Sequence, residues 1–411
     1  MLDIKFIREN KELIQKNCKN RNVKCDLDIL NKLDEKRRTL LKQVEDLRAE
    51  RNSKSKGKPT PEEIEKMRTV GEKIKTIETE LTTTELEYKN YLMIIPNLTH
   101  PESPIGGEDN YKVISQNGEK PTFDFPPKDH EELLISNDLI DFDRGTKVSG
   151  TKFYFAKNNL VILNRALISY GIDIVTKHGF SLMETPDMAK NEILSGIGFN
   201  PRGEETQVYS IENTGLSLIG TAEITMGGYH ADEVLDLTKG PKKYAALSHC
   251  FRTEAGSYGR TSKGLYRVHQ FSKLELFIYC KPKESEKLHQ EILEIEKEIV
   301  EGLGLNYRVI DIASGDLGGP AYRKYDLEAY MTMKGDYGEI TSCSNCTDYQ
   351  ARRLNIKYKA ENGNNELVHT LNGTAIVTSR FPIAIIEQYQ QPDGSILIPK
   401  VLQKYCGFKK L

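Results

Sequence analysis

FRTEAGSYGRTSKGLYRVHQFSKLELF, residues 251–277, is the stretch whose reading decides how most of this chain folds. With its flanks it forms two strand-like runs, KYAALSHCFRTEA (243–255) and LYRVHQFSKLELFIYC (265–280), joined by a loop rich in Gly and Ser. Side chains alternate between the faces of a strand, so Arg267, His269, Phe271 and Glu275, which share one parity, are placed together on one face. Arg252 and Glu254 close the first run. Two arginines, a carboxylate and an aromatic ring suit a nucleoside triphosphate: guanidinium is a planar two-pronged donor for phosphate, and the ring offers a face to the base. A surface hairpin laced with cross-strand ion pairs uses the same residue types. On residue types alone both readings stand.

Outward from the hairpin, Lys157–Lys177 has helical periodicity and is followed by the strand-like FSLMETP (180–186). Downstream, Glu284–Gly302 reads as an amphipathic helix, DYGEITSCSNC (336–346) opens a strand, and Thr370–Gln390 passes from turn to helix. Strands interleaved with helices, some paired through short loops, predict an α+β domain on a mixed or antiparallel sheet flanked by helices. The sequence has no GxGxxG and no GxxxxGK[ST], so neither the dinucleotide fold nor the P-loop is supported.

The first hundred residues read differently. Leu30, Leu33, Arg37, Leu40, Val44, Leu47 and Arg51 alternate in steps of three and four, as do Met67, Val70, Ile74, Ile77, Leu81, Thr84, Tyr88, Tyr91 and Ile95. NSKSKGKPTP (52–61) interrupts them with Gly57, Pro59 and Pro61. The pattern predicts an antiparallel coiled-coil hairpin, an arm spanning about 27–95. The turn-rich PNLTHPESPIGGEDN (96–110) then separates an N-terminal domain, 1–100, from a second domain, 101–411. Residues 36–58 hold nine basic and three acidic side chains, a cationic tip suited to backbone phosphate.

Whole-chain totals bound these readings. A length of 411 residues exceeds a single small module. Charged residues make up 29% and mean hydropathy is -0.54, and no apolar run approaches the roughly 18 residues that span a bilayer, so no membrane partner is expected. The net charge of -2 alone argues against a nucleic-acid binder; the charge of the arm argues for one. Seven thinly spread cysteines and an N-terminus without an apolar core predict a reduced, cytoplasmic protein.

The same segments carry a resemblance. Residues 251–277 are similar to the motif 2 hairpin of class II aminoacyl-tRNA synthetases, and within that class they resemble the seryl-tRNA synthetases most. GTAEI (220–224) resembles the family's serine-site segment, EITSCSNCTDYQARRLNI (339–356) its metal- and ATP-binding strand, and LNGTAIVTSRFPIAIIEQYQ (371–390) its motif 3. FSLMETP resembles motif 1 at the dimer interface, and MLDIKFIREN with the arm also matches, so the likeness runs in order along the whole chain.

The resemblance implies activation of L-serine with ATP to seryl-adenylate and pyrophosphate, then transfer to the 3′ end of tRNA(Ser), with tRNA(Sec) left open. It places Arg252, Thr253, Glu254, Arg267, Phe271, Glu339, Ile340, Thr341, Ser342 and Arg380 around ATP. Phe271 would stack on adenine, Arg267 lie beside the phosphates and Arg380 clamp the γ-phosphate; Glu339 and Ser342 would hold Mg²⁺. Serine would be gripped by Thr221, Ala222, Glu223, Arg252, Glu275, Asn372 and Thr374, with Glu275 sensing the hydroxyl. Arg252, Glu275 and Arg380 form the implied catalytic set, and Arg37, Arg38, Lys42, Arg48, Arg51 and Lys54 the tRNA-binding set. A homodimer is implied as well.

Cys343 and Cys346 have CxxC spacing without a second pair, so no zinc is expected. His269 is read as a structural donor beside the hairpin. Ala375 and Ser379 stand where bacterial members commonly carry Gly, and Thr341 where Ser is usual. None of these removes a charge, so an active enzyme is expected. The alternatives are a relative that loads a carrier protein, which lacks the arm, and a catalytically dead paralogue acting as an RNA-binding scaffold.

Overall fold

Steps of three and four between apolar residues carry the N-terminal part of the chain into long helices. The computed structural model describes residues 1–54, 60–199, 207–254 and 264–411, and the chain divides into two units, 1–98 and 99–411. The first unit holds α1 (Ile4–Glu9), α2 (Lys11–Asn20), α3 (Leu27–Lys54) and α4 (Pro61–Ile94). Asp3 caps α1 by accepting from the Lys5 and Phe6 amides. Leu30, Leu40 and Val44 of α3 and Val70, Ile74, Leu81 and Leu92 of α4 are buried, and Lys36–Glu80 and Arg48–Glu78 pairs cross between the two helices. Thr60 and Glu63 form a reciprocal capping box at the start of α4, and Pro61 occupies its first turn, where the missing amide costs nothing. Of the predicted breaker, 52–61, residues 52–54 end α3 and 60–61 open α4; residues 55–59, with the side chain of Lys54, lie outside the described residues.

The seam departs from the predicted one at Asp34. This carboxylate is wholly buried, whereas the expected seam residue Leu33 is half-buried. Arg8, Arg37 and Arg38 converge on Asp34 at 2.9, 3.2 and 3.2 Å. Arg37 also lies 4.8 Å above the Tyr88 ring.

The second unit is built on an eight-stranded sheet among the described residues: β1 (Lys112–Asn117), β2 (Ser181–Glu184), β3 (Lys242–Phe251), β4 (Gln270–Cys280), β5 (Tyr307–Asp311), β6 (Arg323–Met331), β7 (Asp336–Thr347) and β8 (His369–Val377). The spatial order is β1-β5-β6-β7-β8-β4-β3-β2; every neighbouring pair is antiparallel except β2–β3. This is the expected α+β architecture. Two helices, α5 (Asn158–Lys177) and α7 (Ser285–Gly302), cover one face, where Leu163, Leu167 and Ile292 join Leu274, Leu276, Cys343 and Ile376 in the main core. A Cβ at Gly171 of α5 would lie 2.6 Å from Ile376 Cγ1, so glycine lets that helix approach.

The expected passage from turn to helix over Thr370–Gln390 needs correction. Its first half is the central strand β8, and only Arg380–Gln388 (α9) is helical. A strand buried on both faces loses the polar–apolar alternation that would have announced it. Two further helices, α6 (Ala222–Gly228) and α8 (Tyr349–Leu354), pack with Ala246, Phe277 and Tyr279 on the other face of the sheet. No described helix is long and apolar enough to cross a membrane.

Candidate active site

The face of the sheet opposite α5 and α7 gathers the polar residues. On β4, Phe271, Lys273 and Glu275 share a face, and register sets Glu275 opposite Ala246 of β3 and Thr374 of β8. Lys273 Nζ lies 2.6 Å from Glu275 Oε2, and Thr374 Oγ1 donates to the same oxygen at 3.2 Å. Burial pushes the Glu275 carboxyl up, against the opposing pull of Lys273 and Thr374. Lys273 was legible by parity, two residues from each of Phe271 and Glu275, yet the sequence reading passed over it.

Thr221 caps α6, its hydroxyl accepting the Glu223 amide at 3.2 Å, and this turn aims Glu223 inward. Glu223 Oε1 accepts from Gln350 Nε2 at 2.8 Å and from Asn372 Nδ2 at 3.0 Å. Gln350, which the sequence reading also missed, is in turn fixed by the Thr370 hydroxyl at 2.6 Å. Burial, helped by the charge of Glu275, pushes the Glu223 carboxyl up to about 7. Ala222 is wholly buried in the apolar cluster beneath.

Beside this cluster opens a cleft lined, among the described residues, by Arg252, Arg267, Lys273 and Arg380 against only Glu254 and Glu339. Arg252 donates to the Gly220 carbonyl at 3.3 Å and stands 5.2 Å above the Phe271 ring. Glu254, in the left-handed region at φ 51°, pairs with Arg267 at 3.2 Å. Arg380 pairs with Glu339 at 3.1 Å and lies 5.0 Å above the ring of Tyr266, another residue the sequence did not single out. Burial alone would raise the Glu339 carboxyl, but Arg380 and Lys324 outweigh it and hold it at about 2. The amide of Thr253 donates to the Gln207 carbonyl at 3.2 Å.

Parity fails in two places. β4 begins at Gln270, so Arg267 and His269 precede the strand and their expected alternation does not apply. His269 Nδ1 donates to the Arg252 carbonyl at 2.8 Å, the structural role expected of it. On β7, Glu339 opposes Glu328, Thr341 opposes Leu327 and Ser342 opposes Asp326, with Ile340 bulged out of the ladder. The bulge brings Glu339 and Ser342 to one face although they are three residues apart. It commits the Ile340 side chain to the core and turns the Thr341 hydroxyl to Glu296, 3.0 Å away. Any nucleotide contact at 340 and 341 is therefore left to the main chain. Ala375, the bulged residue of β8, likewise packs in the core, whereas Ser379 lines the cleft.

Oxygen donors at Glu339 and Ser342 suit Mg²⁺, which binds through one or two protein groups and fills its other positions with water and phosphate. Cys343 sits in the main core and Cys346 accepts from Asn372 Nδ2 at 3.7 Å. Of the implied tRNA residues, Arg37 and Arg38 serve Asp34 and Arg48 serves Glu78. Lys42 and Arg51 are exposed and make no ion pair among the described residues.

Comparison with known proteins agrees along the whole chain. Residues 1–99 match the model of the seryl-tRNA synthetase N-terminal domain, and 208–389 that of the class II core domain for G, H, P, S and T synthetases. A serine–tRNA ligase of Treponema denticola is 54% identical over 421 aligned residues, covering 100% of both chains. The seryl-tRNA synthetase of Pyrococcus horikoshii, solved with ATP, superposes with a TM-score of 0.90 at 39% identity, covering 100% of this chain and 99% of that one. A cytoplasmic serine–tRNA ligase of Naegleria fowleri, solved with AMP, gives 0.85 at 32% identity, covering 100% and 98%.

Proposed function

This chain belongs to the seryl-tRNA synthetase family, and from that premise we propose how its sheet face divides the work. The activity is that of an ATP-dependent aminoacyl-tRNA ligase acting on serine and tRNA, and the cationic cleft is the place we assign to ATP. One observation carries the division of labour: a cation-rich cleft and a carboxylate-rich cluster lie side by side on one sheet face, with Arg252 and Lys273 between them.

Serine's carboxylate is itself the nucleophile that attacks the α-phosphorus, so no protein base is required. Catalysis comes from holding the two reactants in line and offsetting charge. Arg252 is placed for serine's carboxylate and the α-phosphate, Arg267 for the phosphates and Arg380 for the γ-phosphate, with Phe271 under adenine. Glu223 and Thr221 receive serine's ammonium. Glu275 and Thr374 read its hydroxyl, and Asn372 holds Glu223 in place. Alanine would leave that buried pair unanswered, which supports rejection by about 10⁴-fold. Mg²⁺ held by Glu339 and Ser342 would offset charge on the phosphates when bound.

The exposed Leu182 on the edge strand β2 supports a homodimer closing over that edge. Sedimentation at micromolar concentration as a 46.7 kDa species would overturn it. None of the seven cysteines forms a disulfide, which supports a reducing, cytoplasmic setting. The whole reading is tested by ATP–pyrophosphate exchange with serine, alanine, threonine and glycine: exchange with serine alone is expected, and silence with all four in a folded protein would overturn it.

A further inference from the structure

Strands β7 and β8 pair from Thr347–Thr370 as far as Cys343–Gly373 and then part, because each carries a bulge just beyond, at Ile340 and Ala375. The Thr374 amide thereby loses its partner across the ladder, deep in the core. Helix α7 supplies a replacement. Glu296, wholly buried, accepts the Thr374 amide on Oε1 at 3.0 Å, while the Thr341 hydroxyl donates to Oε2 at 3.0 Å. One side chain thus bridges the two strands where they part. The neighbouring Gly373 is what lets it reach: a Cβ there would lie 2.3 Å from Ile292 Cγ2 and 3.0 Å from Glu296 Oε1.

The opposite end of the same residue is Thr374 Oγ1, 3.2 Å from Glu275. We propose that Glu296 is a positioning residue for amino-acid selection: by anchoring the Thr374 main chain from behind the sheet, it fixes the spacing of the Thr374–Glu275 pair that reads serine's hydroxyl. This rests on the reading of that pair given above. Burial first, then the charges of Glu275 and Asp326, hold the Glu296 carboxyl well above the usual range, and no described cation pairs with it. An amide of the same length can therefore take its place, and a shorter carboxyl cannot.

The test is ATP–pyrophosphate exchange on the full chain with Glu296→Ala, Glu296→Asp, Glu296→Gln and, as reference, Glu275→Gln. Glu296→Ala is expected to raise KM for serine about 10-fold or more while KM for ATP stays within about twofold, the size of one lost hydrogen bond in binding. Glu296→Asp, which keeps a polar group and the fold, should raise the serine KM severalfold, and Glu296→Gln should stay near wild type. A serine KM unmoved in the Asp variant, equal losses for serine and ATP, or a Gln variant as poor as Ala would overturn the proposal. Glu275→Gln separates the two readings. If it leaves the serine KM unchanged, the underlying assignment fails; if it raises the KM while both Ala and Asp at 296 do not, only this proposal fails.

Discussion

Asp34 in the N-terminal unit and Glu275 in the C-terminal unit are both buried carboxylates, and their surroundings answer them in opposite ways. Asp34 receives three guanidinium groups, from Arg8, Arg37 and Arg38. Glu275 has the single ammonium of Lys273 and shares its neighbourhood with Glu223 and Glu296, whose carboxyls are pushed up by burial and by the charge of Glu275. A charge fully answered from within the chain is a structural joint. A cluster short of positive charge is a site, because a ligand's ammonium completes it.

Removing the cation between cluster and cleft should give the largest effect. Arg252→Ala is expected to lower serine-dependent exchange about 10³-fold with the melting temperature nearly unchanged; a loss under tenfold would deny Arg252 a role in the reaction. The converse holds for the joint. Asp34→Ala should cost about 2 kcal/mol in the N-terminal unit's stability, read by denaturant unfolding, while leaving exchange intact, since the arginines keep partial access to water. Exchange lost along with stability would erase the distinction between the two regions.

Titration distinguishes them further. Glu223, pushed up to about 7, is protonated below that pH and ionised above it, and the ionised form attracts serine's ammonium. KM for serine should therefore fall as pH rises from 6 to 8, by up to about tenfold, and the dependence should flatten in Glu223→Gln. A wild-type KM that rises over this range would reverse the assigned sign. The smallest effect is on the arm. Lys42→Ala with Arg51→Ala should weaken tRNA binding severalfold and reduce its salt slope by about two, without touching exchange. Arg48→Ala should do less, because Arg48 is already paired with Glu78.

The two regions also differed in how legible they were. The arm could be read because helical spacing is local: Val44, Val70 and Ile74 announce their burial within their own segments. Asp34 could not, since its burial depends on Arg8 from another helix. In the second unit Phe271 and Glu275 were legible from their strand and Arg252 from the run it closes, but Gln350 and Glu296 reach the site from remote segments with no spacing to betray them. Tyr266, although beside Arg267 in the hairpin, precedes β4, where alternation does not apply. The shared face of Glu339 and Ser342 was hidden for a different reason. A bulge is a relation between a strand and its partner, and β6 had to be in place before Ile340 could be counted as extra.

That extra residue behaves as a frameshift in three dimensions. From Thr341 to Asn345, ahead of a second irregularity before Thr347, the side chains of β7 fall on the face opposite to the one uninterrupted alternation would assign, and Ala375 does the same along β8. Deleting either one would keep all the charged groups in the sequence and still exchange the inside of the protein for its working surface. For this sheet, gaining or losing one residue is a graver lesion than most substitutions.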